Sequence, residues 1–246
     1  MEGVIGLSEM KYKRILLKVS GEALAGDAHR GLDFDVIHSV CDVIARCTKM
    51  GVQVGIVIGA GNFWRGVKDG ADKMQRSHAD SMGMLGTVMN SIAVADALEK
   101  HGVDARVLSA VEMHKFCEYF TRDLADRYLN EGKVVIFAGG TGNPYFTTDT
   151  GASLRASEMG CDVILKSTQV NGVYDDDPRV NPKAKRYDEI SFDEVLSKKL
   201  KVMDLTAITM AKENNIPVVV FAQNSETSLS DVVCAKGKFT IIKNRG

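Results

Sequence analysis

Short apolar runs, each closed by a turn and followed by a helical pattern, constrain this chain more than any other feature. Lys13–Ser20 reads KRILLKVS, Val52–Ile58 VQVGIVI, Lys133–Ala138 KVVIFA, Val163–Lys166 VILK and Pro217–Ala222 PVVVFA. Runs that are apolar at consecutive positions belong to strands covered on both faces, as in parallel sheets flanked by helices. Ala105–Leu108 and Phe239–Ile242 add two shorter strands. Between them, Asp33 can cap a helix whose Val36, Ile37, Val40, Val43, Ile44 and Cys47 share one face, closing at Gly51. Further helices are expected over Met74–Lys100, Thr121–Glu131, Met203–Asn214 and Thr227–Ala235. One more opens at the capping box Ser191-Phe192-Asp193-Glu194. Strands alternating with helices give an α/β fold with a largely parallel sheet covered on both faces. Residues 1–12 read as a loose leader, and Thr168–Ile190, polar and Pro-containing, as the clearest long loop.

The glycine-rich stretch AGGTGNPYFTTDTGASLRA, Ala138 to Ala156, carries the most chemistry. It joins the run ending at Ala138 to a helical pattern stopping at Gly160. Glycines admit a ligand close to backbone, and a helix opening there aims free N–H groups and a positive dipole end at an anion. A structural turn with Asp149 as helix N-cap would use the same residues. Two more glycine-bearing turns decide for phosphate: Ser20-Gly21 after the first strand, and GAGNFWRG, Gly59 to Gly66, after the second. In a parallel sheet all of them lie beyond the carboxyl ends of strands, where ligands bind. There is no GxxxxGK[ST], and Trp64 stands where a dinucleotide fingerprint needs its third glycine.

Lys18, in a buried strand, needs an anionic partner. A phosphate serves, and so does a structural carboxylate such as Asp149 or Asp204. Arg65 could fork onto phosphate oxygens or sit on the surface, and Lys166 is a second cation of the Lys18 kind. Asp175-Asp176-Asp177 reads either as a solvated turn or, beside Tyr174, as the edge of an adenosine pocket. Met82, Leu85, Met89 and Ile92 lie at helical spacing and read as core or helix-packing residues rather than a cofactor box. Asp80, near the start of that helix, reads as a cap or dipole partner. His114 and Cys117 read as packing or surface residues rather than metal ligands.

The 246 residues, 45% hydrophobic and 26% charged, suit a globular protein with a substantial core. A net charge of −1 gives no electrostatic case for nucleic acid. The five cysteines are scattered and without a CxxC, as in a reducing compartment. No run approaches the length of a membrane span, and no signal-like core opens the chain. A cytoplasmic protein with no membrane or nucleic-acid partner is expected.

Six ordered blocks carry a family resemblance: KVSGEAL (Lys18–Leu24), VIGAGNFWRG (Val57–Gly66), SHADSMGMLGTVMN (Ser77–Asn90), GGTGNPYFTTDTGASLRA (Gly139–Ala156), KSTQVNGVYDDDP (Lys166–Pro178) and KVMDLTA (Lys201–Ala207). Together they resemble the amino acid kinase family over nearly the whole chain, and GGTGNPYFTTD and HADSMGMLGT resemble its UMP-using branch. The resemblance implies a three-layer α/β/α sandwich forming one domain over 1–246, acceptor-binding to about residue 160 and ATP-binding over about 161–246. It implies transfer of the ATP γ-phosphoryl to UMP, giving UDP and ADP in pyrimidine nucleotide synthesis. Mg²⁺ would be held through the ATP phosphates with no metal ligand from the protein, and the assembly would be a homohexamer. By likeness Lys18, Val19, Ser20, Gly21, Gly61, Arg65, Thr168, Tyr174 and Asp177 would bind ATP. Ala60, Asp80, Thr141, Gly142, Asn143, Pro144, Tyr145, Phe146, Thr147 and Thr148 would bind UMP. Lys18, Arg65, Asp149, Lys166 and Asp204 would serve catalysis, the two aspartates by orienting the lysines. An allosteric loop responding to GTP would fall on Gly26, Asp27, Ala28, His29, Arg30 and Gly31. The family usually has glycine where Ala60 stands, and the added methyl is expected to crowd the UMP phosphate slightly. The alternatives are another enzyme of the family acting on a carboxylate, or a non-catalytic nucleotide-binding protein on the same fold.

Overall fold

The computed structural model describes residues 10–65, 73–222 and 227–245. Among these, one nine-stranded sheet forms the centre. Its strands are β1 (Arg14–Val19), β2 (Gln53–Ile58), β3 (Ala105–Ser109), β4 (Glu118–Tyr119), β5 (Val134–Ala138), β6 (Val163–Thr168), β9 (Glu189–Ser191), β10 (Val218–Ala222) and β11 (Phe239–Lys243), and β7 (Val173–Tyr174) and β8 (Arg186–Tyr187) form a separate hairpin. The sheet order is β4-β3-β5-β2-β1-β6-β10-β11-β9. Every neighbouring pair is parallel except β10 and β11. The carboxyl ends of β5, β2, β1 and β6 therefore lie side by side along one edge.

Side chains alternate across a strand, and β1 divides accordingly. Ile15, Leu17 and Val19 join one core layer and Leu16 the other. The first layer is covered by α1 (Phe34–Lys49), α2 (Arg76–Lys100) and α7 (Leu229–Val233). The second is covered by α3 (Arg122–Asn130), α4 (Thr148–Met159), α5 (Phe192–Ser197) and α6 (Leu205–Glu213). Lys18 follows Leu16 by two residues, so it faces the second layer, at the end nearest α4.

Local chemistry sets the helix ends. Asp33 accepts hydrogen bonds from the amides of Asp35 and Val36, and Ser191 with Glu194 forms the expected capping box. The helix expected from Met203 begins at Leu205, because Asp204 caps it. The helix expected over Thr227–Ala235 is shorter, capped by Ser228. The long loop Thr168–Ile190 contains the antiparallel β7–β8 hairpin. Nor is the leader loose at its end: Met10 and Tyr12 are buried, and the Lys11 amide donates to the Val233 carbonyl at 3.2 Å. The rest of that leader, residues 1–9, and Gly66 of the second turn lie outside the described residues.

Candidate active site

Lys18 and Lys166 occupy paired positions on neighbouring parallel strands, so their side chains leave the sheet together. Two ammonium groups so placed repel each other, and Asp149 lies between them. One carboxylate oxygen stands 2.7 Å from Lys18 Nζ and the other 2.7 Å from Lys166 Nζ. Lys166 also donates to the Val202 carbonyl at 2.6 Å. Burial by itself would push the Asp149 carboxyl up, but Lys18 and Lys166 outweigh it and hold the group below the usual carboxylate range. Burial lowers the Lys166 pKa, Asp149 opposes it only in part, and Lys18 adds to the lowering. Two ammonium groups are thus held side by side around one carboxylate, with Asp204 near enough to act on Lys166, an arrangement that can meet an anion.

Asp149 reaches this position from the first turn of α4. The N-cap is Thr147, not Asp149: Thr147 Oγ1 accepts from the amides of Asp149 and Thr150 at 3.1 and 3.3 Å. Thr147 in turn donates to Asp204 Oδ2 at 2.5 Å, and Thr150 Oγ1 lies 3.0 Å from both Asp204 oxygens. Asp204 also caps α6 through the Ala207 amide at 3.0 Å. Its hydrogen bonds thus go to the threonine turn and its own helix, not to the lysines it was expected to orient. Thr150, absent from the sequence expectations, follows Thr147 by three residues, a spacing that could have revealed it.

The first two turns interlock. A methyl on Gly21 would stand 2.4 Å from the Gly59 carbonyl oxygen, closer than any Cβ tolerates, so that approach demands glycine. The Gly59 amide donates to the Val19 carbonyl at 2.9 Å. Arg65 reaches back to Glu22 of the first turn, Nη2 to Oε1 at 2.5 Å. The Ala60 methyl packs on the α2 helix, where Gly86 makes room: a Cβ on Gly86 would lie 2.9 Å from it. Gly86 is thus the α2 residue that leaves space for this methyl.

In the third turn Gly139, Gly140 and Gly142 all have positive φ, and so does Tyr145 at φ 72. For a non-glycine residue that conformation is costly, and Asp80 holds it. Asp80 Oδ2 accepts from the Tyr145 amide at 2.8 Å and from Arg76 Nε at 3.2 Å. Asp80 is therefore not a helix cap; Gln75 stands at that position. Thr141 Oγ1 accepts from the Asn143 amide at 3.2 Å, and Tyr145 and Phe146 are exposed beside Pro144 and Thr148.

Thr168, Tyr174 and Asp177 follow from β6, on the other side of β1 from β2. Thr168 ends β6 with its hydroxyl on the Val170 carbonyl, and the Tyr174 hydroxyl donates to Asn171. Asp177 is held by Arg179, whose side chain and amide draw its pKa down. In the loop Gly26–Gly31, the Gly31 amide donates to the Asn62 carbonyl at 3.1 Å and Gly31 accepts from Asn62 Nδ2 at 2.7 Å. Met82, Leu85, Met89 and Ile92 do not enter the core, since all four are exposed. Small and polar residues of α2, among them Gly86, Thr87 and Asn90, face inward instead. Among the described residues no cluster of His, Cys, Asp and Glu could hold a metal, and no helix is long and apolar enough to cross a membrane.

Residues 13–222 match the profile described as "Amino acid kinase family". The chain is 50% identical to a protein of Bartonella bacilliformis named "Uridylate kinase", over 95% of this chain and 98% of that one. It is 49% identical to a protein of the same name from Paramagnetospirillum magneticum, over 96% and 99%. Among solved structures, UMP kinase from Ureaplasma parvum superposes with a TM-score of 0.90 at 38% identity, covering 96% of this chain and all of that one. UMP kinase from Bacillus anthracis gives 0.91 at 32% identity, over 96% and 97%.

Proposed function

The chain belongs to the amino acid kinase family, and within it we propose that this protein is a UMP kinase, transferring the γ-phosphoryl of ATP to UMP. The observation that carries the reading is the pair of lysines around Asp149, set where three glycine turns meet at one sheet edge. Donor and acceptor are both anionic, so the site must neutralise charge and align the reacting groups. The UMP phosphate is already ionised, and its oxygen attacks the γ-phosphorus as the bond to the ADP oxygen breaks. No general base is required.

Lys18 and Lys166 stabilise the charge that spreads over the moving phosphoryl group, and Arg65, held by Glu22 of the first turn, would add its charge from the second turn. Asp149 keeps both ammonium groups in place. Asp204, through Thr147 and Thr150, fixes the start of α4, where Thr147 Oγ1 already takes the amides of Asp149 and Thr150. Val19 to Gly21, Gly61, Thr168, Tyr174 and Asp177 would take ATP. Ala60, Asp80 and Thr141 to Thr148 would take UMP, with Asp80 Oδ1 offered to ribose hydroxyls. Asp149 is engaged by Lys18 and Lys166 and Asp204 by the threonine turn and the Ala207 amide; magnesium would be held by the ATP phosphates and would neutralise their charge.

The acceptor half would run to about residue 160 and the ATP half from about 161, within one domain. The exposed apolar stripe of α2 would pair with a second copy in building a hexamer. Gly26 to Gly31 would form the effector loop, and the enzyme would work in the cytoplasm. The test is ADP release from ATP with UMP, CMP, acetylglutamate and aspartate offered side by side. Turnover with UMP well above the others is expected. Preference for a carboxylate would move the enzyme to another branch, and nucleotide binding without ADP would make it a binding protein.

A further inference from the structure

Building on that reading, we propose that Asn90 and its partner Asn62 are positioning residues that set the glycine turn after β2, and with it the rate of the transfer step. The two carboxamides form a reciprocal pair. Asn62 Nδ2 donates to Asn90 Oδ1 at 2.9 Å, and Asn90 Nδ2 donates to Asn62 Oδ1 at 2.8 Å. The second N–H of each amide is also used: Asn62 donates to the Gly31 carbonyl and Asn90 to the Gly59 carbonyl, each at 2.7 Å. Both residues are buried, Asn62 at 2% exposure and Asn90 at 0%. Every amide N–H therefore has a partner where losing one would be costly.

Where those bonds end gives the pair its role. Gly59 is the first residue beyond β2, and its carbonyl is the group that Gly21 of the first turn approaches too closely for a methyl. Asn62 Oδ1 would itself stand 2.6 Å from a Cβ on Gly21. The amide pair is thus wedged between the first two turns and the end of the Gly26–Gly31 loop. Asn90 comes from α2, and the same helix supplies Thr87, whose Oγ1 accepts from the Gly139 amide at 2.9 Å. One helix therefore fixes the second and third turns relative to each other. In-line transfer between two phosphates is sensitive to such offsets, because small misplacements cost rate before they cost binding.

Asn90→Asp has the same shape but sets an oxygen where Nδ2 donated. When ionised, that oxygen faces the Gly59 carbonyl and Asn62 Oδ1; when protonated, one donor returns. The variant should fold by circular dichroism and lose about 10- to 100-fold in kcat at mildly alkaline pH. Its KM for UMP and ATP should change far less, and kcat should recover toward acid with a titration that wild type lacks. If this variant does not fold, Asn90→Ser serves, with the same loss of kcat and retained nucleotide binding. An unchanged kcat in a folded variant, with only the melting temperature lowered, would make the pair purely structural and overturn the proposal. So would a raised KM at unchanged kcat. Wild type is assayed in parallel: absence of UDP there overturns the functional reading and this proposal with it, whereas UDP from wild type with a normal variant kcat overturns the proposal alone.

Discussion

Asp149 is what makes Lys18 and Lys166 compatible in one largely buried site, since a single carboxylate serves both ammonium groups. Its lowered pKa means that its contribution to stability is present above the ordinary carboxylate range and is lost as pH falls through the depressed folded value. Lys166 works in the opposite sense: its pKa is lowered on folding, so its ammonium costs stability near neutrality, and that cost fades as pH rises through the lowered value. Asp149→Asn should therefore be markedly destabilised near neutral pH and partly recover in alkali, as one lysine sheds its proton. Denaturation curves for both proteins across pH test this, and a deficit constant with pH would show that the lysines do not need Asp149. A second residue-scale outcome concerns Ala60 and Gly86. Gly86→Ala would bring two methyl carbons to 2.9 Å, and overpacking of this kind costs about 1–3 kcal/mol. Ala60→Gly should suppress that loss, so a double-mutant cycle by thermal denaturation should show strong coupling. Additive effects would mean that the methyl and the helix do not meet.

At the scale of elements, what was legible in the sequence had a period long enough to read. The continuous runs in β1, β2, β5, β6 and β10 and the caps Asp33 and Ser191 stood out, because burial on both faces and free helix amides select particular residue types. The two- and three-residue strands β4, β7, β8 and β9 are too short to carry a pattern, so the β7–β8 hairpin read as loop. Met82, Leu85, Met89 and Ile92 read as core or helix-packing residues because helical spacing reports a shared face without saying what covers it. The inward face of α2 was missed for a related reason: Thr87 and Asn90 are polar, yet both meet backbone groups of the turns. Lys18, Asp149 and Lys166 stood out as unusual residues at strand and helix ends, but that one carboxylate joins both lysines depends on β1 lying beside β6. Asp80 ties α2 to the third turn, and one of its oxygens has no hydrogen-bond partner among the described residues. Hydrogen bonds from ribose hydroxyls to a charged group contribute roughly 1.5–3 kcal/mol, so kcat/KM should favour UMP over dUMP by about 10- to 150-fold. Asp80→Ala should erase most of that ratio and Asp80→Asn less. A ratio unchanged in a folded Asp80→Ala would confine Asp80 to holding the Tyr145 turn.

For the whole molecule, the parallel sheet gathers turns from distant parts of the sequence at one edge, and α2 links that edge to an exposed apolar face. Leu85 and Met89 are 51% and 52% exposed there, with Met82 and Ile92 beside them. Covering such a face stabilises association, so sedimentation should give a mass several times the 26.8 kDa of one chain. Leu85→Glu with Met89→Glu should lower it, and a monomer mass for wild type at all concentrations would refute the assembly. The account as a whole stands on phosphoryl transfer to UMP at the Lys18–Asp149–Lys166 centre. Phosphorus NMR of the purified protein with ATP, magnesium and UMP reads that event directly. UDP and ADP should appear in equal amounts with no free phosphate, and Lys18→Ala should slow their appearance by about 100- to 1000-fold while remaining folded. Inorganic phosphate in place of UDP, or no UDP at all from folded wild type, would contradict it.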